Sequence, residues 1–310
     1  VRVHLALLFV QVTFGAFHVI SKGVLLHLSP LALAGVRALV AAPLVLAFAW
    51  RIERVVPRRG DMAVLAGLGL LGVVGNQVLY IVGLQLTTAG TAGILMPSIP
   101  VFALAFAAAL GIERLDRRRI AGVALAVAGA LVLLGPGGIS AGGGSALGNL
   151  LILGNCASYA AYLVLQRPLL YRLPPLTVVA WAFLFGGAAI VAISLPAMMR
   201  VSPAALPASV WAAMAYIILI PTAVNYVLNS WALRRSSPAL VATYTTLQPV
   251  IATGLAFVFL GETPGARELA GFALIAAGLA AVTFAASRRA GRRESSAGRF
   301  PSQPRGGPDE

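Results

Sequence analysis

Charge is scarce in this chain. Only 10% of its 310 residues are charged, and only nine are acidic, where a soluble domain averages about 25% charged. That excludes an ordinary soluble domain. A single cysteine, Cys156, permits neither an intramolecular disulfide nor a cysteine metal cluster, and it reads as a small packing residue. Every carboxylate lies near a helix end, in a loop or in the tail: Glu53, Asp61, Glu113, Asp116, Glu262, Glu268, Glu294, Asp309 and Glu310. The lack of a carboxylate at mid-membrane depth argues against a carboxylate-based proton or sodium coupling site there. No HExxH motif and no pair of membrane aspartates occurs, so an intramembrane enzyme lacks its usual chemistry and none is expected. No cofactor or metal is expected.

What is abundant is long apolar sequence. The chain is 59% hydrophobic, with a mean hydropathy of +0.91. About 20 apolar residues cross a bilayer. Ten such spans are expected, at about 4–28, 31–50, 62–86, 90–112, 118–135, 147–166, 176–199, 208–233, 237–260 and 268–287. The first is read as a structural span rather than a cleavable signal.

The net charge of +14 would fit nucleic acid, but its distribution fits a membrane. With the N-terminus inside, 19 of the 23 basic residues fall in inner segments, and three (Lys22, Arg200 and Arg267) fall in outer ones. The positive-inside rule then places both termini in the cytoplasm. The expected location is the plasma (inner) membrane, multi-pass, with no nucleic-acid partner. Arg288, Arg289, Arg292 and Arg293 open a basic tail over 288–310 that is too polar to fold alone. It is a topology anchor or a contact to anionic lipid.

The sequence also repeats. Pro100, Glu113, Gly122 and Gly129 recur as Pro249, Glu262, Gly271 and Gly278, each 149 residues on, and so do Asn76 as Asn225 and Leu84 as Leu233. Lys22 with Arg167, and Pro30 with Pro175, are 145 apart. The expected units are 1–135 and 148–287, joined by a glycine-rich linker over 136–147. Five spans per unit is an odd number, so the units face opposite ways. The expected fold is all-α, ten transmembrane helices as a 5+5 inverted-topology repeat.

Gly90-Thr91-Ala92-Gly93-Ile94-Leu95 through Pro100, then Leu110-Gly111-Ile112-Glu113-Arg114, Gly122 and Gly129, with their second copy around Gln248-Pro249, Leu260-Gly261-Glu262, Gly271 and Gly278, resemble the drug/metabolite transporter superfamily, EamA type. The resemblance covers about residues 4–287. It implies export of a small metabolite across the membrane, in a family whose solutes include amino acids, sugars, nucleotide precursors and drugs. Tyr162 to Leu170 (YLVLQRPLL) is similar to the plant-type amino-acid and auxin exporters of the same superfamily. The competing reading is a scaffold or sensor subunit that transports nothing.

Polar residues within spans are the candidate solute contacts, because exposure to lipid is costly. Gln11, Gly15, His18 and Lys22 share one face of the first helix, and Asn155, Tyr159, Tyr162 and Gln166 repeat that spacing in the sixth. His18 is either a ligand or coupling group, since imidazole titrates near neutral pH, or an interhelical hydrogen-bond partner. Lys22 and Arg37 flank the first outer loop at a similar depth, about 9 Å by helical rise. They form a basic pair for an anionic group, or snorkel. Asn76, Gln77 and Tyr80, Asn225 and Asn229, and Tyr244 and Gln248 either bind a polar solute or glue helices together. Pro97, Pro100 and Pro249 kink the fourth and ninth spans as hinges or as simple packing. Glu113 and Glu262 are proton-coupling groups or helix-end bonds that fix tight turns. The small faces of the fifth and tenth spans fit contact between the halves, or a homodimer.

Overall fold

The computed structural model describes residues 2–112, 117–134, 145–225 and 247–278, with positions 228, 232, 244, 280 and 281. The described residues are all helical or in connections, without a strand. In chain order the helices are α1 (Arg2–Val24), α2 (Pro30–Ile52), α3 (Arg59–Leu86), α4 (Ala89–Ala109), α5 (Arg117–Leu134), α6 (Ala146–Leu170), α7 (Pro175–Met198), α8 (Ala208–Val224) and α9 (Leu247–Leu260), followed by α10 at 266–278. Six of them, α1 to α4, α6 and α7, are long and apolar enough to cross a membrane, and shorter apolar helices accompany them at 120–132, 208–224 and 247–260. This is a helical membrane protein. Its outward surface agrees: Leu39, Trp50, Leu131, Phe257, Val258 and Phe259 are all more than half exposed, an arrangement that lipid tolerates and water does not.

Local chemistry sets the helix starts. Ser29, Thr88 and Ser145 each accept an N–H from three residues ahead, at Ala32, Thr91 and Gly148. Pro30 and Pro175 both stand at the first helical position, where a missing N–H costs nothing. At the start of α7, where Pro174 offers no cap, the Glu53 carboxylate accepts the N–H groups of Leu176 (3.3 Å) and Thr177 (2.6 Å) and the Thr177 hydroxyl (2.7 Å). After α4 and α9 the chain turns through Gly111 (φ +70°) and Gly261 (φ +65°), left-handed positions that favour glycine.

Small residues set the packing. α2 and α7 run against each other along Ala34, Ala38 and Ala42, and a methyl added at Gly187 would stand 2.8 Å from Ala42 Cβ. α5 and α10 cross antiparallel. A methyl at Gly129 would meet the Gly271 carbonyl at 2.7 Å, and one at Gly278 would meet the Gly122 carbonyl at 2.5 Å. The expected small faces therefore meet each other within the chain.

Two elements were not expected. α3 opens into a π-helix at Leu70–Gly75, and α8 does so at Ile218–Val224. Pro221 removes an N–H in the second segment; the first contains no proline. Residues 70–75 plus the 149-residue offset of the sequence pattern are 219–224, so the two π segments lie one such offset apart. Asn76 and Asn225 directly follow them.

Candidate functional site

α1, α3 and α9 bring three of the expected polar residues together. His18 Nδ1 lies 2.6 Å from Tyr80 Oη, and His18 Nε2 lies 3.2 Å from the Gln248 side-chain nitrogen. An amide nitrogen only donates. As the Gln248 amide is placed, Nε2 accepts, and the imidazole proton on Nδ1 is donated to Tyr80. His18 and Tyr80 are 1% and 5% exposed.

Arg37 joins this cluster through an aromatic ring. Phe17 stacks on Tyr80 at 5.3 Å, and the Arg37 guanidinium carbon lies 4.8 Å from the Phe17 ring centre. A cation over a ring face is stabilised electrostatically, the more so when dehydrated. Arg37 Nη2 also donates to Thr222 Oγ1 at 3.3 Å, inside the second π segment. Gln77, three residues before Tyr80 and on its face, is 5% exposed, and its Oε1 has no hydrogen-bond donor among the described residues. Gln11 Oε1, on the His18 face of α1, is in the same condition. Buried acceptors without donors are uncommon in folded chains, and here they offer handles to a donor-bearing solute.

Two further sets of polar contacts brace the π segments and the residues beside them. Asn155 donates to the Asn76 backbone carbonyl at 2.6 Å and also meets the Asn76 side chain; Asn76 in turn donates to Gly72 O at 3.2 Å. Ser158 donates to Leu71 O at 2.8 Å. On the other side, Asn225 donates to Thr13 Oγ1 at 3.0 Å, and Tyr216 donates to Thr13 O at 2.9 Å. Thr13 and Ser158 are 145 apart, the same offset as Pro30 and Pro175. Tyr159 and Tyr162 stack at 5.8 Å, with the Tyr162 ring against Gly72.

The remaining expected residues lie elsewhere. The Lys22 ammonium donates to Leu84 O (2.7 Å), Gln85 O (3.1 Å) and Thr87 O (2.5 Å), closing the C-terminus of α3 with all three protons. Lys22 and Arg37 are thus engaged separately. Tyr244 bonds His4 Nδ1 at 2.7 Å in an exposed contact, away from His18. Glu262 accepts the N–H groups of Ala89 (3.1 Å) and Gly90 (3.0 Å) at the start of α4. Pro97 sits in the turn that divides α4, Pro100 lies near the start of the second part of α4, and Pro249 lies within α9. Glu113 and Asn229 lie outside the described residues.

Sequence reasoning missed Thr13, Thr222 and Glu53. The 145 offset linking Thr13 to Ser158 was a usable signal for the first; hydroxyls are too common in membrane helices to flag the second. A groove of about 410 Å³ between α2 and α7, walled by Pro43, Leu46, Trp50 and Trp181, is apolar and suits hydrocarbon rather than a polar solute.

The EamA-like transporter family matches residues 1–135 and 146–284. The chain is 34% identical over 237 residues to a "Probable terminal-alkyne amino-acid exporter" of Streptantibioticus cattleyicolor, covering 76% of this chain and 77% of that one. It is 29% identical over 280 residues to a "Probable amino-acid metabolite efflux pump" of Salmonella typhimurium, covering 88% and 91%. It is 29% identical over 325 residues to "Protein WALLS ARE THIN 1" of Arabidopsis thaliana, covering 92% and 83%. A solved crystal structure, 23% identical, superposes with a TM-score of 0.61 over 93% of this chain and 98% of that one, a likeness of fold.

Proposed function

The chain belongs to the EamA-like transporter family, and we propose that it exports an amino acid or related small organic solute by alternating access. The observation that carries this reading is the buried cluster of His18, Tyr80, Gln248, Arg37 and Thr222. Its members come from both family-matched segments of the chain; His18, Tyr80, Arg37 and Thr222 are buried and Gln248 partly so. A solute reaches such a site only when the units part. Two relatives named for amino-acid export support the solute class and direction. The Arg37 guanidinium and the Gln77 acceptor offer complementary handles for a carboxylate and an ammonium.

Alternating access is supported by the symmetry of the contacts. An inverted repeat of two five-helix units in ten spans has an axis that exchanges Gly122 with Gly271 and Gly129 with Gly278. It maps the Gly129–Gly271 approach onto the Gly278–Gly122 approach. It maps one π segment onto the other, and Ser158, which donates to Leu71 O, onto Thr13, which bonds the Asn225 side chain. Such a molecule exchanges inward- and outward-open forms by swapping the conformations of its halves. The basic asymmetry supports cytoplasmic termini, which places Glu262 outside and Glu53 inside.

Proteoliposomes loaded with a mixed amino-acid and metabolite pool test this, with and without a pH gradient, comparing wild type with His18→Ala. Solute-specific efflux that weakens in the variant is the expected result. Protein that is folded, inserted and passes no solute from the pool would instead support a scaffold or sensor.

A further inference from the structure

α2 ends and α7 begins at the same end of the bundle, and the groove of about 410 Å³ lies between them. Its walls are Pro43, Leu46, Trp50 and Val55 on one side and Thr177 and Trp181 on the other. Pro43 lies about 10 Å deeper along α2 than Trp50, by helical rise. The groove therefore runs from within the membrane to its surface. The Thr177 hydroxyl is engaged by Glu53 at 2.7 Å, so the walls offer an occupant chiefly apolar contact. At the shallow end Trp50 is 55% exposed. Neither the Trp50 nor the Trp181 indole N–H has an acceptor among the described residues.

The mouth of the groove carries positive charge. Arg51, Arg54, Arg58 and Arg59 follow Trp50 in the connection to α3, and all are exposed. None of them has a carboxylate or other acceptor among the described residues. Both acids of this stretch are engaged elsewhere. Glu53 accepts the first N–H groups of α7, and Asp61 pairs with Arg172 at 2.9 Å. Arg51 and Arg54 stand in sequence between the wall residues Trp50 and Val55. Arg54 takes φ +50°, a left-handed position where glycine is the easier residue. The turn there follows the end of α2 and returns the chain to the groove wall at Val55.

We infer that this groove holds one anionic phospholipid, with an acyl chain along Pro43, Leu46 and Trp181 and a headgroup phosphate on Arg51 and Arg54. An apolar concavity within a membrane takes hydrocarbon, and the arginines at its mouth select the headgroup. Guanidinium groups bind phosphate through paired N–H donors, and anionic lipid is drawn to clustered basic residues at the membrane surface. The two indoles stand where a lipid presents its ester oxygens, the depth that tryptophan favours. α2 and α7 belong to the two family-matched segments of the chain, so the lipid bridges those segments. None of its walls belongs to the His18 cluster, and the site does not depend on which solute is carried.

The test is lipid binding to purified, full-length carrier, delipidated in mild detergent. Native mass spectrometry compares bound dioleoyl phosphatidylglycerol with dioleoyl phosphatidylcholine, and Tm is read with each lipid and with sodium phosphate. The expected results are saturable binding of one phosphatidylglycerol, in preference to phosphatidylcholine, and a rise of a few degrees in Tm with phosphatidylglycerol alone. Each arginine should contribute about fivefold, so Arg51→Gln combined with Arg54→Gly should weaken phosphatidylglycerol binding about thirtyfold. Glycine at position 54 adopts the same backbone without strain, so that loss is not a loss of fold. Ala47→Phe, which fills the groove from its wall, should reduce retention of both lipids. Arg117→Gln with Arg118→Gln, exposed at the start of α5 and no part of the groove wall, should change nothing. Equal affinity for the two lipids overturns the site. So does an equal rise in Tm with sodium phosphate, which would mean an anion site without a chain. Phosphatidylglycerol binding that falls as far in the α5 variant as in the groove variants would mean bulk attraction, and also overturns it. Efflux from protein that fails these tests would leave the transport reading standing.

Discussion

Replacing Gly278 by alanine probes the crossing of α5 and α10. The new methyl would lie 2.5 Å from the Gly122 carbonyl oxygen, 2.8 Å from the Ala126 nitrogen and 3.0 Å from Ala126 Cβ. Two of these neighbours are backbone atoms, which cannot rotate away as a side chain would. Overpacking costs about 1–3 kcal/mol, and backbone obstruction places this case in the upper half. Alanine regains up to about 1 kcal/mol of helix propensity over glycine. The net expectation is destabilisation by about 1–2 kcal/mol. Gly254→Ala is the matched control, because nothing stands within 4 Å of its added methyl. That variant keeps the propensity gain without the clash, so the two should differ by about 2–3 kcal/mol. Gly129→Ala, the repeat mate, should behave like Gly278→Ala. Reversible unfolding in mild detergent, followed by intrinsic fluorescence, measures all three. A Gly278→Ala protein as stable as Gly254→Ala would refute the close crossing and the symmetry argued from it.

Lys22→Met leaves the carbonyls of Leu84, Gln85 and Thr87 without their shared donor. It should lower stability by about 2 kcal/mol while efflux per folded molecule is kept; loss of efflux at unchanged stability would return Lys22 to the solute path. Glu53→Gln removes the charge from the bonds to α7 and should cost about 1 kcal/mol; a double-mutant cycle with Thr177→Val should show the two coupled. Tyr80→Phe removes the hydroxyl partner of His18 at 2.6 Å and should slow efflux about tenfold, the equivalent of one lost hydrogen bond. Cys156, 0% exposed with its Sγ toward Leu95 O at 3.6 Å, should resist maleimide in the native protein and react after denaturation.

The helical membrane class was legible because hydropathy reports it directly, and the expected spans 31–50 and 176–199 fall within a residue or two of α2 and α7. The close crossing of α5 and α10 was legible in the spaced glycines, since at Gly129 and Gly278 backbone approach leaves no room for a side chain. The members of the His18 cluster were legible singly, as polar residues on apolar helices. Their pairing was not, because helical periodicity gives a face and not the neighbour it meets. Lys22 and Arg37 show the same limit: equal depth in the sequence, but carbonyls for one and an aromatic ring with a hydroxyl for the other. The π segment at Leu70–Gly75 left no sequence mark, since its residues are ordinary helix formers and glycines. Glu262 was read as a proton group or a turn bond, and it bonds the N-terminus of α4, at a distance in sequence that local spacing does not reach.

The most direct test of alternating access is the sidedness of position 77. In a Cys156→Ala background, Gln77→Cys is exposed in turn to a membrane-impermeant thiol reagent on each side of sealed vesicles. The account predicts labelling from both sides, slowed by transported solute. Labelling from one side only, or from neither during solute flux, would contradict it.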